Sequence, residues 1–189
     1  MSTTNNKSSL FTLWFKPVSS MRALLEAGQG HSAAVMIAAF FGAVQSARFS
    51  LAQAESGPLP YVVGGLAGLS GLYLFGWLTR NFGRWFGAET TQRAARTALG
   101  LGLLPWTLLS VVLSFMLGAE VNPERIVSFA PVFFCVFFYG YVIILLSLSA
   151  ALQLSVLKTF FCLAVTIIFS LFPLTLCAQL LVTLFGSAA

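Results

Sequence analysis

Aspartate is absent from this chain, its acidic residues are five glutamates, and only 8% of its 189 residues are charged. An ordinary soluble domain carries about 25% charge. So few charges cannot cover a water-facing surface, which excludes most soluble enzyme folds, secreted disulfide scaffolds and disordered tails. Histidine occurs once, at His31, too few for a histidine-based metal cluster. Cys135, Cys162 and Cys177 all fall in apolar runs and no pair has CxxC spacing, so they read as small buried hydrophobes. The phosphate-loop pattern GxxxxGK is missing, as are HExxH and GxSxG. A Ser–His–acid triad would have to use His31 and a glutamate. Hydrolytic or phosphoryl-transfer chemistry is hard to assemble from this inventory, so no catalytic, cofactor-binding or metal-binding residue is expected, and no cofactor.

What the chain does have is apolar length. Hydrophobic residues make up 58% of it, and the charges divide it into long uncharged stretches. A spanning helix needs about 20 apolar residues. Five spans are expected, over 31–51, 60–79, 98–118, 128–152 and 159–184. Runs such as Phe133-Phe134-Cys135-Val136-Phe137-Phe138 lack the alternation of barrel strands. Backbone satisfaction in lipid then requires helices. The fold class is all-α, a polytopic integral membrane protein. The first span is the weakest: its apolar heart, Ala33 to Ala47, is short and alanine-rich and contains Gln45.

Basic residues fix the expected orientation. Lys7, Lys16, Arg22, Arg80, Arg84, Arg93, Arg96 and Lys158 fall on one face, against Arg48 and Arg125 on the other with Glu55, Glu120 and Glu124. The positive-inside rule places the amino terminus in the cytoplasm, and an odd number of spans places the carboxyl terminus outside. No cleavable signal peptide is expected in the first 26 residues. The organisation is a cytoplasmic segment over 1–30, a membrane domain over 31–184 and a short external tail over 185–189. Within the first, Leu10, Phe11, Trp14 and Phe15 precede Pro17, which suits the first turn of a second short helix. Val18, Met21, Leu24 and Leu25 share one side of that helix, as in an anchor lying on the inner leaflet, with a docking surface for a cytoplasmic partner as the alternative.

Four arginines of the 80–97 loop, Arg80, Arg84, Arg93 and Arg96, are candidate contacts for lipid or a partner. The net charge of +5 is dispersed between apolar runs, which fits anionic headgroups better than nucleic acid. Thr90 and Thr91 are alternative caps for a helix leading into the third span. Gly64 and Gly68 have the spacing of a close helix contact, and Gly42 and Ser46 offer a comparable smooth face, so the first two spans are expected to pack tightly. Self-association is the alternative use. Pro105 and Pro173 are expected to kink their helices. Gln45 and Gln179 are the intramembrane polar residues, read as hydrogen-bonding glue or as the lining of a polar path. No ionisable group lies near the middle of a predicted span, whereas ion-coupled carriers place such groups at depth.

Leu13-Trp14-Phe15-Lys16-Pro17, followed by Met21-Arg22-Ala23-Leu24-Leu25, resembles the amino-terminal block of the bacterial branch of the Yip1-domain membrane family. Gly83-Arg84-Trp85-Phe86-Gly87, then Arg93-Ala94-Ala95-Arg96-Thr97-Ala98, resembles the family's Gly-rich cytoplasmic loop and the helix start after it. Leu103-Leu104-Pro105 resembles its third-span proline, and Phe138-Tyr139-Gly140-Tyr141 a fourth-span aromatic-small pattern. Gly87-Ala88 departs from the Gly-Gly pair common there. The resemblance covers about 13 to 184 and implies five helices with a cytoplasmic amino terminus; it supplies no catalytic residues. The expected function is that of a non-enzymatic integral membrane protein acting by helix packing, lipid organisation or partner binding at its cytoplasmic face, in a bacterial inner membrane. Its partners would be membrane lipids, a membrane or cytoplasmic protein, or a second copy. The alternative is a small-solute transporter, for which Pro105, Pro173, Gln45 and Gln179 are the relevant features.

Overall fold

The computed structural model describes residues 12–52, 57–117 and 123–186. Lys7, Leu10, Phe11, Glu55, Glu120 and the 187–189 end, all used above, lie outside them. The described residues form helices and turns with no strand: α1 (Thr12–Phe15), α2 (Pro17–Glu26), α3 (His31–Ala52), α4 (Leu59–Trp85), α5 (Gln92–Gly102), α6 (Leu104–Leu117), α7 (Pro123–Leu152) and α8 (Val156–Gly186).

Among the described residues four stretches, where five were expected, are long and apolar enough to cross a membrane: Leu59–Trp85, Gln92–Phe115, Val127–Leu152 and Val156–Pro173. The expected span over 31–51 is the one that falls short. Among the described residues its apolar stretch is His31–Ala47, shorter than a crossing helix requires. The expected third span is two helices. Pro105 stands in the first turn of α6, where its missing N–H breaks the ladder, and Leu103 is the turn residue between α5 and α6. Leu103 N–H donates to Leu99 O and Thr107 Oγ1 donates to Leu103 O at 2.9 Å, so the junction keeps its polar groups partnered. Pro131 and Pro173, by contrast, sit inside continuous helices.

Helix α3 packs most extensively on α4, and also on α5 and α6; α5 bridges α3, α4 and α7; α8 packs on α4 and α7. The amino-terminal segment joins this bundle. Pro17 opens α2, as its fixed φ allows. Met21 and Leu24 are buried and Val18 and Leu25 pack against the core. Leu24 lies beside Gly30 near the start of α3, whereas Leu13 and Trp14 line a small apolar pocket with Leu101, Leu104, Pro105 and Ile143. Trp14 O accepts from Tyr139 Oη at 2.5 Å, halfway along α7. The segment therefore dips into the bundle from the end where α3 begins.

Candidate basic end of the bundle

Local backbone chemistry collects the arginines. Helix α4 ends at Trp85 and is closed by Gly87, whose φ of +89° is the left-handed conformation that glycine adopts without a Cβ penalty. Ala88 N–H then reaches Gly83 O and Gly87 N–H reaches Arg84 O, closing the helix carbonyls in a Schellman turn. After the loop, Thr91 Oγ1 accepts from Ala94 N–H at 3.1 Å and caps α5, which decides between the two threonine candidates. The chain reverses, so α5 returns along α4.

The four arginines have unequal surroundings. Arg84 and Arg93 are exposed. Arg80 Nε donates to Thr90 O at 3.3 Å and ties the loop to α4. Arg93 Nη2 donates to Gly28 O at 3.4 Å, on the turn before α3. Arg96 is half-buried. Its stem occupies the space that a side chain at Gly76 would fill: a Cβ there would stand 2.5 Å from Arg96 Cγ. Its guanidinium lies 4.1 Å from the centroid of the Tyr73 ring, and Nη2 donates to Gln92 Oε1 at 2.9 Å. Arg96 Nε is buried with no acceptor. Beside it, Thr97 Oγ1 donates to Arg93 O at 2.8 Å. The hydroxyl proton is thereby used, so His31 Nδ1, 3.3 Å away, is the donor to Thr97 Oγ1.

Gly64 and Gly68 are in the α3–α4 seam. A Cβ on Gly64 would meet Ser46 and Gly42 O, and one on Gly68 would meet Ala38 O and the Gly42 backbone. Ser46 Oγ donates to Pro60 O at 2.6 Å across the same seam. Gln45 and Gln179 have different settings: Gln45 Oε1 is buried with no partner, while Gln179 is exposed on α8. Cys162 is buried and Cys135 exposed. Among the described residues no group of three His, Cys, Asp or Glu side chains could hold a metal ion.

Tyr73, Gly76 and Thr97 were not singled out as site residues by their sequence context. The available signal was the spacing Tyr73, Trp77, Arg80, Arg84, which puts aromatic and basic residues on one stripe of α4. Its partner Arg96 comes from another helix, and only the chain reversal brings it there.

A bundle of long apolar helices with arginines gathered at one end has the build of a multi-pass α-helical membrane protein. Comparison of the chain with protein-family models, with curated proteins and with solved structures returns no match in any of the three.

Proposed function

We propose that this chain is a non-enzymatic integral membrane protein of the Yip1-like type, whose basic end is a docking face on the cytoplasmic side of a bacterial inner membrane. Helix α3 would be a fifth crossing, sheltered by α4, α5 and α6, with the amino terminus inside and the carboxyl terminus outside. The observation that carries the docking face is the exposure of Arg84 and Arg93 on the two sides of the loop joining α4 to α5, with no ion pair to a glutamate among the described residues. Charges held in this way are available to an acidic partner surface.

The test is crosslinking in native membranes followed by recovery of the wild type and of the Arg84→Gln/Arg93→Gln double variant. A protein partner recovered with the wild type should be lost, or reduced by about tenfold, with the variant. Identical partner profiles from equal amounts of inserted protein would overturn the docking face. Reporter tags at the two ends should lie on opposite sides of the membrane.

A transporter would need a polar route through the bundle. The apolar pocket beside Pro105 has no room for a water molecule, and Gln179 lies on the outside of α8, so these features favour packing over passage.

A further inference from the structure

We infer that Arg96, with Tyr73, Trp77 and Gln92, forms a binding site for the phosphate of an anionic glycerophospholipid in the leaflet at the basic end. The inference rests on the membrane placement proposed above but not on any protein partner.

Three properties of Arg96 point to an anion. First, its guanidinium is fixed: the stem is seated against Gly76, one face lies over Tyr73, and Nη2 is held by Gln92. A fixed planar fork loses little freedom when it binds phosphate. Second, the group lacks compensation. Nε is buried without an acceptor, Nη1 has no protein acceptor, and no carboxylate pairs with it among the described residues. Third, the surroundings are those of a lipid edge rather than a protein pocket. Tyr73 and Trp77, one turn apart on α4, are 45% and 49% exposed. Amphipathic rings of this kind collect where acyl chains meet headgroups. Arg80, one turn beyond Trp77, spends its Nε on the loop carbonyl of Thr90. A phosphodiester oxygen would take Nη1, and its acyl chains would lie along the Tyr73–Trp77 stripe. Basic pockets between membrane helices recognise anionic headgroups by this chemistry.

The test uses the full chain purified in a neutral detergent, with lipid adducts counted by native mass spectrometry after titration with phosphatidylglycerol or phosphatidylcholine. The wild type should retain phosphatidylglycerol at least fivefold better than phosphatidylcholine. Arg96→Gln should abolish that preference, and Tyr73→Leu should weaken it by two- to threefold. Arg96→Lys keeps the charge but not the fork and should fall between them. Arg84→Gln/Arg93→Gln should leave the preference within twofold of wild type. A thermal unfolding trace on each variant identifies any that fails to fold, and the wild-type preference is then decisive by itself. Equal retention of the two lipids by the wild type, or an unchanged preference in folded Arg96→Gln, would overturn the site. Displacement of the lipid by millimolar inorganic phosphate would overturn the lipid assignment in favour of free phosphate. Loss of a protein partner in the double variant with the lipid preference intact supports both proposals; intact partner binding with lost lipid preference in Arg96→Gln supports this one alone.

Discussion

The two halves of α7 share one composition class and have opposite environments. From Ile143 to Leu152, seven residues are buried: Ile143, Ile144, Ser147, Leu148, Ala150, Ala151 and Leu152. From Val127 to Tyr139 the helix is mostly exposed, with Phe129, Phe134, Phe137 and Phe138 facing outward. Both halves are apolar, so hydropathy does not explain the difference. Size does. The buried half contributes serine and alanine and meets glycines: Gly102 of α5 lies against Ile144, and Gly83 of α4 against Leu152. Between helices in lipid there is no large gain from removing apolar surface from water, so close backbone approach and van der Waals contact decide which faces pack. Bulky phenylalanines dominate the far half, where Phe137 meets Trp106 of α6 while Phe134 and Phe138 stay exposed. The α3–α4 seam follows the same rule with Gly42, Ser46, Gly64 and Gly68.

The contrast between the halves is open to direct attack. The largest effect should come from Leu148→Ala, at a fully buried position. It should destabilise the folded protein by about 2–3 kcal/mol through the cavity it leaves, read as a shift in an unfolding titration in mixed micelles. Next is Gly140→Val, at the boundary between the halves. A Cβ at Gly140 would meet the Trp106 indole, which stacks on Phe137 with centroids 5.1 Å apart and donates from Nε1 to Phe137 O at 3.0 Å. Displacing that ring should cost about 1–3 kcal/mol and shift the tryptophan emission. Phe134→Ala, 69% exposed in the far half, should change stability by no more than about 0.5 kcal/mol. An effect at Phe134 as large as that at Leu148 would mean that a second protein surface, not lipid, covers the far half.

Much of the helical layout was legible because charges bracket the apolar runs. Pro17, Thr91 and the glycine spacing at Gly64 and Gly68 could each be read from local rules, since capping, proline geometry and small-residue contacts act over a few residues. The break at Leu103 was legible only as a kink, because sequence does not say whether a proline bends a helix or divides it. The first apolar run was harder still. Its alanines look weak by hydropathy, yet Ala34 and Ala38 are buried, Ala34 lying against Gly100 of α5. At the basic end the four arginines were identifiable as a group, but their division into exposed Arg84 and Arg93, loop-tying Arg80 and seated Arg96 was not. That division depends on which backbone atoms or rings stand opposite each guanidinium.

The amino-terminal segment shows the same limit. The apolar side formed by Val18, Met21, Leu24 and Leu25 was visible in the spacing, because helical period is a local property. What that side covers was not, since the partners of Leu13 and Trp14 on α5, α6 and α7 lie about ninety or more residues away along the chain.

By itself, the sequence determined that the chain is helical, that long apolar stretches alternate with short basic ones, and where caps and small residues fall. Each of these follows from interactions within a few residues or from the transfer of one helix into an apolar solvent. Only the tertiary structure decided which apolar faces meet one another, that residues 12–26 enter the bundle, and that Arg96 alone is set between Gly76 and Tyr73. Those outcomes are set by shape complementarity between distant segments, and a one-dimensional pattern of polarity carries no record of shape.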